Sequence, residues 1–134
     1  MNEDRADEFA GSQPFADLIG VEVTSVTPEQ VVAHLDWAPE RCTSGGMLHG
    51  GAIMSLADAA GGLVAFVNLP DGSTGTTTVS SATQFTRGLR QGRATAHARP
   101  LHVGRTTIVV ETDVRDDDDR LLARVTQTQA VLTS

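Results

Sequence analysis

The hydrophobic and polar positions divide the first third of the chain into a short helix, a β-hairpin and a loop. Residues 14–20 (PFADLIG) predict the helix, because proline is favoured in a first helical turn and glycine just after the last one. Alternating and β-branched residues over 21–26 and 30–37 flank a Thr-Pro-Glu turn, a pattern typical of a hairpin. Pro39 and a Gly-Gly pair then mark residues 38–48 as a loop.

The segment 50–67 predicts a long helix that is apolar on nearly every side. Its sequence, GGAIMSLADAAGGLVAFV, is rich in good helix formers and too long for an ordinary strand. Such a helix has to be buried on most sides. Four segments with strand character and intervening turn signals follow: 75–85, 92–100, 105–115 and 121–132. The pattern therefore predicts an α+β domain in which one antiparallel sheet wraps around one long central helix.

Length and composition indicate a single domain. A chain of 134 residues that is 40% hydrophobic can bury one core, and we expect a frayed segment over 1–13 and one domain over 14–134. The net charge of -7 argues against a general nucleic-acid binder, which needs a basic surface. The acidic N-terminus does not resemble a signal peptide, Cys42 is the only cysteine, and no apolar run is long enough to span a membrane. We therefore expect a cytoplasmic protein with no membrane partner.

The acidic run 116–119 lies between two predicted strands and predicts a solvated hairpin turn, with a metal-binding loop as the alternative. EF-hand spacing is missing there. His34, His97 and His102 are too scattered to suggest a metal site. No metal or redox cofactor is expected.

Asp58 and the glycine pair 50–51 are candidates for chemistry. A carboxylate in the middle of an apolar helix is disfavoured by desolvation, and functional sites collect such residues. The alternative is that Asp58 only makes hydrogen bonds in a polar gap between subunits. The glycines would leave the unpaired N–H groups of a helix N-terminus open to a substrate carbonyl. The alternative is that the pair has only a structural role, because Gly-Gly is common at the start of a helix.

The segment 48–58 (LHGGAIMSLAD) resembles the signature of the PaaI-type hot-dog thioesterases, which is a His-Gly-Gly at the helix start and an acidic residue nine positions after the histidine. The resemblance extends through 78–80 and 85–87 and covers most of the chain beyond about residue 14. It implies a hot-dog fold and hydrolysis of an aryl- or medium-chain acyl-CoA, with coenzyme A present only as part of the substrate.

The resemblance also implies roles for individual residues. Asp58 would activate water or attack the thioester directly, and the Gly50 N–H would polarise its carbonyl. His49 would orient the acyl group or the leaving thiol, and Thr78 would assist the water. Thr43 departs from the family, because relatives often carry Asn or Gln at that position.

Binding of coenzyme A is expected to involve Gly51 and three arginines. All ten basic residues are arginines, and guanidinium groups suit phosphates. Arg87 matches a family position near the nucleotide, and Arg90 and Arg105 are further candidates in the same arginine-rich stretch. The alternative is that each of them is an ordinary solvated charge on a strand.

The helix spacing predicts an assembly. Gly50 and Asp58 are eight residues apart, or roughly 12 Å along a helix, so one chain cannot easily place both on one carbonyl. A two-fold dimer with antiparallel helices would bring Asp58 of one subunit to Gly50 of the other. We expect at least a homodimer, and a tetramer of two dimers. The alternatives to a thioesterase are a hot-dog dehydratase or hydratase, and a non-catalytic acyl-CoA-binding module.

Overall fold

The computed structural model describes residues 3–134 and contains two α-helices, two short 3-10 helices and six strands. The predicted short helix, hairpin, long helix and four further strands are all confirmed, with ends that differ by up to three residues. In chain order the elements are the 3-10 helix Ala6–Phe9, α1 (Pro14–Ile19), β1 (Glu22–Val26), β2 (Val31–Asp36), the 3-10 helix Pro39–Arg41, α2 (Gly50–Phe66), β3 (Ser73–Phe85), β4 (Arg93–Val103), β5 (Thr107–Arg115) and β6 (Leu121–Thr133).

The six strands form one antiparallel sheet in the order β1-β2-β4-β5-β6-β3. Strand β3 therefore lies at the edge opposite the first hairpin, although it directly follows α2 in the chain. Helix α2 packs against all six strands. The predicted α+β architecture, with an antiparallel sheet around one long helix, is confirmed.

Small side chains on β2 and β4 let the long helix lie close to the sheet. Ala33, Ala94, Ala96 and Ala98 are completely buried. On the helix side, Leu56 and Val64 have no exposed area and Ile53 is almost fully buried. Full burial of one such aliphatic side chain stabilises the fold by about 1.5–3 kcal/mol. The apolar side chains of the helix thus pack mainly into the core of this one chain.

One stripe of α2 is not covered by the sheet. Met54, Asp58 and Phe66 are exposed and Gly62 is partly exposed, which is the i, i+4 spacing of one helix face. The expectation that this helix is buried on most sides is confirmed, but Asp58 lies on its open side. The sequence argument that the aspartate is desolvated by its own helix is therefore wrong for the isolated chain.

The N-terminal segment differs from the predicted frayed segment 1–13. Asp4 accepts hydrogen bonds from the Ser25 hydroxyl and the Val26 N–H, and these bonds hold its pKa below the usual value. The Arg5 N–H donates to the Val26 carbonyl. These bonds attach residues 4–5 to β1, and the 3-10 helix follows directly. Met1 and Asn2 lie outside the described residues.

The acidic run forms the turn between β5 and β6, as predicted. The Asp116 carboxylate accepts from the N–H groups of Asp118 and Arg120, and Asp119 adopts a φ of 63°. Residues 3–134 contain no group of three or more His, Cys, Asp or Glu side chains arranged to hold a metal ion. Over the same residues, no helix has the length and apolar content that crossing a membrane requires.

Candidate functional site

His49 caps the N-terminus of α2. Its Nδ1 accepts a hydrogen bond from the Gly51 N–H at 2.8 Å, and its carbonyl accepts from the Ala52 N–H. Because Nδ1 is the acceptor, we assign the proton of the neutral ring to Nε2. This contact satisfies one of the free N–H groups of the first turn. The side chain predicted to orient a substrate is therefore itself oriented by the helix.

The Gly50 N–H at the same helix end is available to a ligand. It has no hydrogen-bond partner within the described chain, and Gly50 is only partly buried. The half-exposed ring of Phe85 lies beside it, and a Cβ at position 50 would come within 3.2 Å of that ring. A donor at a helix N-terminus beside an aromatic surface can polarise a carbonyl oxygen.

Asp58 is exposed on α2 and is held by a buried amide. Gln127 lies on β6 with no exposed area, and its Nε2 donates to Asp58 Oδ1 at 2.9 Å. Within residues 3–134 no other side chain donates to this carboxylate. One oxygen is therefore bound to the core, and the other is free to meet a ligand.

Two cavities lie on either side of Asp58. The first has a volume of about 390 Å³ and the second about 460 Å³. The first brings Asp58 together with Gly51, and its other lining residues are Gln13, Phe15, Ala16, Met54, Ser55, Ala59 and Ser81. The second brings Asp58 together with Thr78, and its other lining residues are Phe9, Ser12, Gln13, Gly62, Leu63, Phe66, Thr76, Thr77 and Gln129.

Thr78 is bound to a second buried amide. Gln129 is almost fully buried, its Nε2 donates to the Thr78 hydroxyl at 2.6 Å, and its Oε1 accepts from Thr76. Because the Thr78 oxygen already accepts a bond, its own proton is free to be donated into the second cavity. Asp58 and Thr78, two of the predicted catalytic residues, thus line the same cavity, and each accepts a hydrogen bond from a glutamine of β6.

His49 lines a different cavity from Asp58. This third cavity has a volume of about 290 Å³ and also includes Cys42. It shares Phe15, Gly51 and Ser55 with the first cavity, so the two adjoin along α2. Gly50 and Asp58 remain eight residues apart on one unbroken helix, roughly 12 Å along its axis.

Thr43 lies outside these cavities. It is exposed in the loop between the second 3-10 helix and α2, where its N–H donates to the Met47 carbonyl and its carbonyl accepts from the Gly46 N–H. None of the three cavities described above includes it. Among residues 3–134, Thr43 makes no hydrogen bond to Asp58, Gly50 or His49, and its membership of the catalytic centre stays a prediction.

The predicted arginine cluster is divided in space. Arg87 and Arg90 line a cavity of about 570 Å³, together with Arg120 and three aspartates of the β5–β6 turn. Arg105 follows the other end of β4, at a distance of roughly 30 Å, since each strand residue advances about 3.3 Å. Arg105 is therefore close to Arg87 and Arg90 in sequence but not in space, because a strand of 11 residues lies between them.

The remaining arginines of this stretch are engaged in ion pairs. Arg93 pairs with Asp36 at 2.7 Å, and Arg99 pairs with Glu111. Ion pairs on the outer face of the sheet therefore explain part of the arginine enrichment over residues 87–105 without any ligand.

Sequence reasoning did not identify Gln127, Gln129 or Phe85 as part of the site. A signal existed for the two glutamines. Strand alternation places them on the same face as Ala123 and Val125, so two amides replace apolar residues on the core side of β6. For Phe85, the family likeness of 85–87 pointed to the segment but not to its contact with Gly50.

The known proteins that this chain resembles in sequence are a thioesterase family and proteins named as esterases. Residues 45–123 match the family model described as Thioesterase superfamily. ComA2 of Bacillus subtilis, provisionally named an esterase, is 32% identical over 117 residues, which span 87% of this chain and 92% of that protein. A provisionally named esterase of Mycobacterium tuberculosis is 30% identical over 113 residues, which span 83% of this chain and 81% of that protein.

Solved structures agree with these relatives. A crystal structure of a mutant of thioesterase PA1618 from Pseudomonas aeruginosa has a TM-score of 0.88 at 29% identity, covering 95% of this chain and 93% of that chain. A mutant of the phenylacetic acid degradation protein PaaI from Thermus thermophilus has a TM-score of 0.82 at 26% identity, covering 90% of this chain and 100% of that chain.

Proposed function

Because this chain belongs to the thioesterase superfamily and has the PaaI-type hot-dog fold, we propose that it hydrolyses an acyl-CoA thioester to a carboxylic acid and coenzyme A. The observation that carries the proposal is Asp58, an exposed carboxylate between two cavities, on the helix whose first N–H is free. Thioester hydrolysis needs these two functions, a group that polarises the carbonyl and a base or nucleophile.

In the proposed reaction, the Gly50 N–H donates to the thioester oxygen, where negative charge develops. Asp58 either takes a proton from water as the water oxygen attacks the carbonyl carbon, or attacks that carbon itself to form an anhydride that water then hydrolyses. In both routes the C–S bond breaks, the thiolate of coenzyme A leaves and is protonated, and one water is consumed. No cofactor takes part beyond the coenzyme A of the substrate.

Thr78 and His49 have supporting roles in this proposal. The Thr78 hydroxyl, held by Gln129, presents its proton in the second cavity beside Asp58 and can orient the attacking water. His49 holds Gly51 through Nδ1 and presents Nε2 to the acyl group or the leaving thiol. The apolar lining of the first cavity, which includes Phe15 and Met54, suits an aryl or medium-chain acyl group.

For the nucleotide part of coenzyme A, we assign Arg87 and Arg90, with Gly51 near the pantetheine end. The Arg87 guanidinium has no ion pair within residues 3–134, whereas Arg90 donates to the Gly45 carbonyl. Arg105 lies at the opposite end of β4 and enters this proposal only as a contribution from another subunit. The nearby aspartates of the β5–β6 turn limit how strongly this cavity attracts phosphate.

The proposed active unit is a homodimer in which each site takes Gly50 from one chain and Asp58 from the other. Support comes from surfaces that the single chain leaves uncovered. Exposed Met54 and Phe66 lie on the open stripe of α2, and exposed Val79 and Phe85 lie on the edge strand β3. Uncovered apolar residues beside an unpaired strand edge favour association with another chain. We propose that two such dimers form a tetramer.

A panel assay tests the proposed function. Benzoyl-, phenylacetyl-, octanoyl- and palmitoyl-CoA are offered to the parent protein and to Asp58→Asn, and released thiol is measured. We expect release by the parent and a loss of about 10²–10⁴-fold in kcat for Asp58→Asn, the range for removal of an acid–base group.

Other outcomes of the same assay separate the alternatives. If the parent binds these acyl-CoAs but releases no thiol, the chain is a non-catalytic acyl-CoA-binding module. If it releases no thiol but adds water to crotonyl-CoA, it is a hydratase of the same fold. Either result contradicts the proposed thioesterase.

A further inference from the structure

The amide of Gln127 is the one contact that ties Asp58 to the core within the described part of the chain. An ionised carboxylate only accepts hydrogen bonds, so the amide must present its NH₂ group to Asp58 Oδ1. This orientation leaves Gln127 Oε1 pointing away from the carboxylate. That oxygen is buried and has no partner in residues 3–134. The amide orientation is therefore set by Asp58 alone.

Gly61 makes room for this amide. A Cβ at position 61 would overlap Gln127 Oε1, with the rest of the amide group also in contact. Asp58 and Gly61 are three residues apart and lie on the same side of α2. A glycine inside a helix lowers its stability relative to alanine. The helix thus carries an unfavourable residue where the amide passes beneath it.

Stability alone does not account for this arrangement. The neighbours of Gln127 on the inner face of β6 include Val125 and Ala123, both buried, so an apolar side chain would continue the core. A buried carbonyl oxygen without a partner is destabilising. Two unfavourable features, Gly61 and an Oε1 without a partner among residues 3–134, coincide at the hydrogen bond from Gln127 to the Asp58 carboxylate.

We propose that Gln127 is a positioning residue that holds Oδ1 of Asp58, so that Oδ2 faces the two cavities as the reacting oxygen. The inference rests on the proposed thioesterase function. Without the amide, an exposed aspartate on a helix samples several rotamers, and its reacting oxygen spends less time against the substrate.

The test replaces Gln127 by Met, which has a similar length and no N–H donor. We expect kcat on the best acyl-CoA of the panel to fall about 10- to 100-fold, the range for loss of a group that orients a reactive ligand. We expect KM to change by less than about twofold, because Gln127 does not reach the cavities. A fall in kcat at nearly constant KM is the result that distinguishes lost positioning of Asp58 from lost substrate binding.

Thr112→Val is the matched control. Thr112 is also completely buried, lies on the neighbouring strand β5, and has a hydroxyl with no partner among residues 3–134. It makes no contact with Asp58 in the hydrogen-bond network described above. A general loosening of the core would lower kcat in Thr112→Val as well, whereas a positioning role of Gln127 predicts that Thr112→Val keeps the parent kcat.

Gly61→Ala displaces the amide while leaving Gln127 in the sequence. It should reproduce the fall in kcat and the nearly constant KM. Melting temperatures measured on every variant show that the compared proteins are folded. A parent value of kcat in Gln127→Met would overturn the positioning role.

Asp58→Asn separates this inference from the proposed function. If Asp58→Asn loses activity and Gln127→Met does not, the thioesterase proposal stands and the positioning role is wrong. If Asp58→Asn keeps parent activity, the proposed function of Asp58 is wrong and the positioning role is overturned with it.

Discussion

At the scale of single residues, adjacent glycines of α2 have different surroundings. Gly61 faces Gln127, and a Cβ there would overlap the amide oxygen. Gly62 is partly exposed, and a Cβ there would meet no atom of this chain within 4 Å. Both glycines lie inside the helix, so both lower its intrinsic stability by a similar amount relative to alanine. Their substitutions should therefore have opposite effects.

We predict that Gly62→Ala raises the free energy of unfolding by about 0.5–1 kcal/mol, through helix propensity and a less flexible unfolded chain. Gly61→Ala should lower it by about 1–3 kcal/mol, because the added methyl group overpacks a buried site. Denaturant unfolding of both variants and the parent measures these values. Equal effects of the two substitutions would contradict the close approach of Gln127 to position 61.

At the scale of elements, strands β4, β5 and β6 present an ionic network on the outer face of the sheet. Arg124 donates to both oxygens of Asp113, at 2.8 and 3.3 Å, and Arg115 donates at 3.3 Å. These hydrogen bonds and the charge of Arg99 hold the pKa of Asp113 below its usual value, against a smaller opposing effect of burial. One carboxylate thus joins three strands.

We predict that Asp113→Asn lowers the free energy of unfolding at pH 7 by about 1 kcal/mol, since the arginines remain partly exposed and solvent screens the pair. A carboxylate with a lowered pKa contributes its full stabilisation above the unfolded pKa of about 3.9, and it loses this contribution as the pH falls from that value through the lower pKa of the folded state. The difference between parent and variant should therefore begin to shrink near pH 4 and vanish only as the pH falls through the lowered pKa of Asp113 in the folded protein. A difference that is constant from pH 7 to pH 3 would contradict the ionic origin.

The local pattern of the sequence predicts most helices and strands, but it does not predict the contacts between them. Strand alternation and helix signals predicted the hairpin, α2 and the last four strands to within three residues, because these signals depend on neighbours in sequence. The motif placed His49 and Gly50 at the helix start. Gln127 was missed because its bond to Asp58 joins residues 69 positions apart, which depends on how the helix lies over the sheet.

For two groups of residues, the neighbours in sequence differ from the surroundings in the fold. Asp58 is flanked by apolar residues in sequence, but its side of the helix turns away from the sheet, so it is exposed. Arg87, Arg90 and Arg105 are close in sequence, but extended β4 separates them. In both cases the sequence shows which residues are neighbours along the chain, while the packing of elements determines what each side chain meets.

At the scale of the whole molecule, the proposed site needs two chains. Gly50, whose N–H has no partner among residues 3–134, and the exposed Asp58 lie on one unbroken helix, roughly 12 Å apart along its axis. The uncovered stripe of α2 and the edge strand β3 provide the surface for a two-fold partner. Hydrolysis in this account is a property of the dimer, and each dimer has two equivalent sites.

A variant can remove the Gly50 donor with little effect on the helix. Proline has no N–H and is well tolerated at the first position of a helix, so Gly50→Pro deletes the proposed carbonyl donor. Gly50→Ala is its matched control, because it adds a Cβ against Phe85 but keeps the N–H. We expect Gly50→Pro to lose about 10²–10³-fold in kcat, the range for one oxyanion donor, and Gly50→Ala to lose much less.

The most direct test of the shared site mixes two inactive proteins. Gly50→Pro and Asp58→Asn are unfolded together in equal amounts, refolded, and assayed for thiol release from the best acyl-CoA of the panel. Random pairing makes half of the dimers mixed, and each mixed dimer keeps one intact site of two, so the account predicts recovery of about a quarter of the parent activity. A refolded mixture that stays as inactive as its components would contradict a site built from Gly50 of one chain and Asp58 of the other.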